Sequence, residues 1–259
     1  MRVTLTKGVK PRVLRVGPLA LARDKGDAIR TAGAMFDTNV SAAHIRGGRV
    51  IEKRNLGSGL VTNAGVNELA RDWFWASGAT TFEVQKNMGS GTGATAAAVG
   101  DVTLGTANGT TAVAATQSTV EPNVLQLVGT LSYGSSLAIT EWGLFLSTTI
   151  SGASQSTGTS TAVGTTSMTL GSATWTTDQW KGYTVTTGGT MGLILSNTAT
   201  VLTIGSWRTP STNALPANPG TGTFVINPTM WDRKVFSAIN VINGDSIQFT
   251  YQLTMTSGG

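Results

Sequence analysis

The chain has 259 residues, enough for one large β domain or two smaller ones with a true core. Apolar residues make up 40% and charged residues 12%, about half the usual share of roughly 25%. That balance excludes a disordered chain, which pairs low hydrophobicity with high net charge; the absence of cysteine and the single histidine exclude disulfides and His/Cys zinc centres.

Threonine, serine, glycine and alanine stand where charge is missing. Threonine is β-branched and suits a pleated surface, while glycine and serine punctuate short strands. The composition therefore predicts a mainly β protein with many turns, and the pattern along the chain predicts an antiparallel, β-sandwich-like core with one short helix and an inserted small β module. No apolar run approaches the ~20 residues that span a bilayer, and Met1–Arg15 lacks the apolar core and cleavage site of a secretory signal. A soluble protein made in a cytoplasm is expected.

Charge is divided unevenly. Residues 1–54 hold 12 Lys/Arg against 4 Asp/Glu, a balance of +8, and the other 205 hold 6 against 9, a balance of −3. Arg2, Lys7, Lys10, Arg12 and Arg15 stand together without an acid. Residues 1–54 thus read as a basic extended arm, with one short strand near Arg12–Val16, on a nearly neutral body. Such an arm can neutralise phosphates or dock on an acidic protein surface. No aromatic residue interleaves the cluster to stack on bases, so docking on a partner is preferred and nucleic acid is not expected.

A core domain is expected from residues 55–146 together with 229–259. Its best helix carries Val66, Leu69, Ala70, Trp73 and Phe74 at the spacing of one buried face. Thr62 is placed as N-cap, Val61 and Val66 as its hydrophobic staple, and the helix should end before Gly78. A strand near Phe82–Gln85, a loop from Gly89 to about Gly109, and strands at Val124–Tyr133 and Ile139–Leu146 follow. Residues 147–228 read as an inserted β module. It opens with an uncharged Ser/Thr/Gly tract, then offers strands at Tyr183–Thr187, Gly192–Leu195, Thr200–Ile204 and Thr223–Ile226, divided by turns at Gly188-Gly189 and Ser196-Asn197. Finally Ile247, Phe249, Tyr251, Leu253 and Met255 alternate with uncharged polar residues, the clearest strand in the chain. Asn243-Gly244 predicts a hairpin joining it to Phe236–Ile242.

Reactive groups are scarce. A nucleophile–imidazole site would have to be built around His44, in the irregular arm. A glycosidase needs only two carboxylates at a set separation, but the body has nine acids and only Glu68 and Asp72 fall together, on one helix, where solvation explains them. Gly89-Ser90-Gly91-Thr92-Gly93 lacks the spacing and the lysine of a phosphate cradle and reads as a flexible surface loop. No cofactor or metal is expected. Trp175, Trp180, Tyr183 and Trp207 crowd the insertion; exposed, they could stack on a host glycan, but in a small module tryptophan more often fills the core.

Two stretches carry a resemblance. The first runs from Met88-Gly89-Ser90-Gly91-Thr92-Gly93 through Asp101-Val102-Thr103-Leu104-Gly105 to Glu141-Trp142-Gly143-Leu144-Phe145. The second is Met230-Trp231-Asp232-Arg233-Lys234, leading to Gly244-Asp245-Ser246. Together they resemble tailed-bacteriophage virion proteins of the tail-collar fibre type, over about half the chain. The resemblance implies that Glu141–Phe145 is a strand whose glycine permits close packing, and that residues 147–228 interrupt a pair of strands. It implies a non-catalytic structural protein, synthesised in the host bacterial cytoplasm and located in the virion. The protein would assemble as a symmetric homo-oligomer, guessed a trimer, with other capsid or tail and baseplate proteins. Fibre proteins continue into a shaft, whereas this chain stops at Gly259 and carries a basic arm; capsid decoration is therefore the alternative to a tail or fibre-collar position, and a host-glycan receptor the next. No membrane partner is expected.

Overall fold

The computed structural model describes residues 34–75, 85–109, 111–150 and 156–257. The basic cluster Arg2, Lys7, Lys10, Arg12 and Arg15, the predicted strand near residues 12–16, and most of that at 82–85 lie outside the described residues.

Residues Met35–Thr256 form one compact unit. Its strands are β1 (Ala34–Arg46), β2 (Arg49–Gly57), β3 (Leu60–Val61), β4 (Asn87–Gly91), β5 (Val113–Ala114), β6 (Thr116–Glu121), β7 (Val124–Ser132) and β8 (Leu137–Phe145). These are followed by β9 (Ser156–Thr159), β10 (Ala162–Val163), β11 (Ser167–Thr169), β12 (Thr184–Thr187), β13 (Thr190–Asn197), β14 (Val201–Arg208), β15 (Thr223–Asn227), β16 (Met230–Val241) and β17 (Ser246–Ser257). One helix, α1 (Asn63–Trp75), follows β3.

The chain is mainly β, with antiparallel sheets packed face to face. One sheet runs β2-β1-β17-β7-β6 and the other β3-β16-β8-β4-β5. Between them Val40, Leu127, Leu131, Ile139, Trp142, Leu144, Ile239, Ile247, Phe249 and Tyr251 form a shared core. Alternation produces this directly: Ile247, Phe249 and Tyr251 point inward and are fully buried, while Gln248, Thr250 and Gln252 lie on the outer face. Trp142 stacks on Tyr251 with ring centroids 5.5 Å apart, which fixes the spacing of the sheets at their centre.

The third sheet is drawn wholly from residues 156–227, in the order β10-β11-β14-β13-β12-β15-β9. Its two terminal strands are consecutive in the chain, separated only by Ser160-Thr161. The Ser160 N–H donates to Gly222 O at one end of the sheet and the Thr161 N–H to Thr169 O at the other. One bent segment thus closes the sheet into a small barrel, filled by Met168, Trp180, Ile194, Leu202, Ile204, Trp207 and Phe224. The chain enters it after β8 and leaves into β16, and those two strands pair, with Phe145 opposite Met230.

Several expectations change. Ala34–Arg54 is not an arm: β1 and β2 form a hairpin across Gly47-Gly48, both with positive φ, and β1 pairs with β17 inside the sandwich. The predicted loop at Gly89 is strand as far as Gly91, buried throughout. Asn243-Gly244 does not make a hairpin: β16 and β17 belong to different sheets, so the turn crosses between layers. The same crossing occurs from β7 to β8, and the two crossings are tied by Tyr133 N–H to Asp245 O and Gly244 N–H to Tyr133 O, both 2.9 Å. Ser196-Asn197 lies within the end of β13, and the turn follows it.

Thr62 caps α1 as predicted, its hydroxyl accepting the Gly65 N–H at 3.0 Å. The buried face differs, however. Ala64, Gly65 and Glu68 face inward and Val66 is 45% exposed; the side chains of Trp73 and Phe74 lie outside the description. Gly65 sets this rotation, because a Cβ there would meet the backbone of Trp231 at 2.7 Å. Gly65→Ala should therefore destabilise by about 1–3 kcal/mol through overpacking, although alanine favours a helix interior by roughly 0.5–1 kcal/mol. Urea unfolding checks this as a lowered midpoint at unchanged slope.

Candidate functional site

The polar groups that matter lie on β8 and β16, the two strands flanking the barrel. Residues of a strand alternate between faces, so Trp142 and Leu144 enter the sandwich core while Glu141 points to the opposite face. Asp232, Arg233 and Lys234 lie across from Leu144, Gly143 and Trp142. The Glu141-Trp142-Gly143-Leu144-Phe145 and Trp231-Asp232-Arg233-Lys234 motifs are thus brought together as neighbouring strands. Gly143 is required by close approach, since a Cβ would meet the Phe145 ring at 2.9 Å and Leu104 at 3.0 Å.

Glu141 is fully buried. Its Oε1 accepts the Gly93 N–H at 2.9 Å and the Thr106 N–H at 2.7 Å. Its Oε2 accepts the Gly105 N–H at 2.9 Å and the Arg233 Nε and Nη2 at 3.0 and 2.7 Å. Arg233 in turn donates Nη1 to Asp101 Oδ2 at 2.7 Å and Nη2 to Thr95 O at 3.2 Å. A single carboxylate thereby pins the Thr92–Thr106 segment over the outer face of its sheet. The glycine run makes room for it: a Cβ on Gly93 would meet Glu141 Oε1 at 2.4 Å, and one on Gly91 would meet Thr106 O at 2.2 Å. Gly89–Gly93 is a socket for a buried carboxylate, not the flexible surface loop expected.

His44 sits in β1, 5% exposed, not in an irregular arm. Its Nε2 lies 2.9 Å from Asp245 Oδ2. Asp245 also accepts Arg46 Nη2 at 2.7 Å, Arg46 Nε at 2.9 Å and the Ile242 N–H at 2.9 Å. The Arg46 hydrogen bonds hold this carboxyl well below the usual carboxylate range. The group fixes the crossing from β16 to β17.

Asp232 is the exception. It is fully buried and neither oxygen has a well-formed hydrogen bond. Burial pushes it up to about 7, and nearby Thr38 and Tyr251 hydroxyls and the Arg233 and Leu60 N–H groups draw it only part of the way back. Gly59 lies against it, where a Cβ would meet Oδ1 at 2.0 Å. Lys234 turns away and donates Nζ to Ser58 O at 2.7 Å.

Chemically, Glu141, Arg233 and Asp245 are committed to holding backbone and one another, whereas Asp232 is not. Glu141 has five donors, which leaves no oxygen to act as base or nucleophile. Glu68, expected in solvent, is 1% exposed. Among the described residues no three His, Asp or Glu side chains converge as a metal site, and no helix is long and apolar enough to cross a membrane. The aromatic cluster of the insertion is core: Trp180 and Trp207 are buried, and Trp175 and Tyr183 pack partly buried against them. Trp175 and Phe224 meet edge to face, centroids 6.4 Å apart. Trp180 and Trp207 are thus taken up by the core, while Trp175 and Tyr183 stay part-exposed at its margin. The sequence signals for Glu141, Arg233 and the glycines were visible as motifs; the partnership with Asp101 and that of His44 with Asp245 carried none, because 132 and 201 residues separate them.

No protein-family model matches the chain, no curated protein matches it, and no solved structure matches it.

Removing one member of a buried pair strands the other. Glu141→Gln or Arg233→Met should each cost about 3–5 kcal/mol, while the double replacement by apolar residues should cost less than the sum; a double-mutant cycle in urea measures this. Asp232 makes a separate pH prediction. Its folded value lies above its ordinary one, so its contribution is fully present below about pH 4 and is lost as pH rises towards 7. Asp232→Asn should remove that decline and gain on the wild type between pH 5 and 8, by a few kcal/mol on the order set by ~1.4 kcal/mol per pH unit. Asp245 acts in the opposite sense, losing its contribution only in acid below the carboxylate range.

Proposed function

We propose that this protein is a non-catalytic structural component of a tailed-bacteriophage virion, assembling as a symmetric homo-oligomer on the particle surface. The observation that carries the reading is the ordered pair of motifs, Gly89–Gly105 with Glu141–Phe145 and Trp231–Lys234, which meet on two paired strands with a separate barrel between them. A tail or fibre-collar position is preferred, and capsid decoration is the alternative.

Physical features support an assembling role over a catalytic one. Buried Glu141 and Asp245 serve as backbone clamps. The barrel is fastened to the sandwich by Thr184 Oγ1 to Thr229 Oγ1 at 2.8 Å, Thr229 Oγ1 to Gly182 O at 2.6 Å and Asn63 Nδ2 to Pro210 O at 2.7 Å. Two hydrogen bonds between the Asn67 and Asn213 amides add to this joint. Such a body presents surfaces in fixed relation, as a particle component must.

In this reading the basic residues Arg2, Lys7, Lys10, Arg12 and Arg15 dock on a neighbouring virion protein, and the barrel projects outward. Deleting residues 2–16 should abolish incorporation into particles while leaving the thermal unfolding of the remaining chain unchanged. Quantifying the protein in purified particles checks it, and wild-type incorporation of the deletion defeats the docking role.

A further inference from the structure

The sandwich and barrel treat their strand edges unequally. The terminal strands of the barrel sheet, β9 and β10, are four and two residues long and run into one another through the bend at Ser160-Thr161, which leaves only short edges. β3 and β5, the terminal strands of one sandwich sheet, are two residues each. Beyond β3, Arg54 Nη1 donates to the carbonyls of Ser237 and Ala238 on β16. β2 carries Arg49, Lys53 and Arg54, and charge of this kind opposes edge-to-edge pairing. Among the described residues β6 is neither short, covered by a side chain nor cationic, and its one irregularity, a register shift between Thr119 and Glu121, leaves Thr116–Thr119 regular. It ends its sheet, and all six of its residues, Thr116-Gln117-Ser118-Thr119-Val120-Glu121, are exposed. It has no lysine, arginine or proline, and Val120 is 51% exposed.

The geometry points to β6 as the site where a second copy of this chain adds, strand against strand and antiparallel, about a two-fold axis beside Ser118. A single charge selects the arrangement. Glu121 is the only charged residue of β6. Parallel pairing would set two Glu121 side chains one strand spacing apart, about 5 Å, where like charges repel. Antiparallel pairing on Ser118 puts Gln117 beside Thr119 of the second copy, within the regular part of β6 that precedes its register shift. It separates the two Glu121 residues by roughly 20 Å along the strands. The edge is therefore self-complementary in one sense only, and an isologous contact of this kind builds a two-fold unit in place of the trimer the sequence suggested. The outer face of the joined sheet continues the uncharged rows already seen, with Gln252 Nε2 donating to Gln126 Oε1 at 3.1 Å and Gln126 Nε2 to Ser118 Oγ at 3.3 Å.

This deepens the oligomeric half of the proposed function and rests on it. Sedimentation velocity of the full chain over a wide concentration range should show a dimer, or an even multiple of it. Ser118→Lys and Ser118→Glu should each give folded monomers, with far-UV circular dichroism and melting unchanged, because like charges then face each other at the axis. Mixing the two variants should restore the dimer, an outcome that requires Ser118 to meet Ser118 of the second copy. Wild type that stays monomeric throughout, a dimer indifferent to both variants, or folded monomeric variants whose mixture fails to pair each overturns the interface. Phage particles that lack the chain would instead overturn the virion reading while leaving a measured dimer standing.

Discussion

The buried pair of Glu141 and Arg233 is the constraint on which the rest of the structure depends. It lies on the two strands where the chain departs into the barrel and returns, and it also grips the segment that covers their outer face. Two buried charges are expensive to desolvate, and such a pair often stabilises no better than apolar residues of the same size. What it adds here is specificity. A carboxylate with five donors accepts one placement of the Gly93, Gly105 and Thr106 backbone, and an arginine with Glu141, Asp101 and Thr95 as acceptors accepts one register of β16 on β8. The glycines at 91 and 93 are part of the same device, since any side chain there would occupy the position of the carboxylate.

The two crossings between sheets follow from that fixed register. With β8 held against β16, and β7 against β17 through an unbroken ladder from Ser246–Ser132 to Thr254–Val124, the connections β7–β8 and β16–β17 must both pass from one layer to the other at the same end of the sandwich. Asp245 makes the second passage possible by accepting the Ile242 N–H and two β1 side chains, so the corner is tied to the hairpin as well. A turn sequence that favours a hairpin is overruled because each flanking strand already has a partner on both sides, β3 and β8 for β16, β1 and β7 for β17.

Legibility in the sequence followed periodicity and failed where side chains did not report their surroundings. Strands β7, β8, β17 and the barrel strands β12 to β15 carried alternation or turn signals, and Thr62 announced the start of α1. β4 was missed because its glycines read as loop, although each is small in order to approach another residue. β1 and β2 were missed because their cations resemble a solvated arm; in the structure Arg46 and Arg54 reach acceptors on other elements. β9 to β11 lie in an uncharged tract whose pairing is decided by closure of the barrel, a property of the whole sheet. Val66 was assigned to the wrong side of α1 because apolar spacing alone does not register that Gly65 must lie on the Trp231 backbone.

A low-charge chain has few acids and cations to distribute, and this one places several of them inside. Glu141, Asp232 and Asp245 are buried, and Arg233 is 3% exposed. The outer faces of β6, β7 and β17 are left to threonine, glutamine, serine and valine. Association through surfaces of that kind removes few ionic groups from water, so the desolvation cost that weakens charged contacts is small. The same composition deprives the chain of the usual protection against pairing between edges. Internal clamping and a weakly charged exterior are thus two consequences of one allocation of charge, and the proposed assembling role would draw on both: a body that keeps its shape and an edge low in charge.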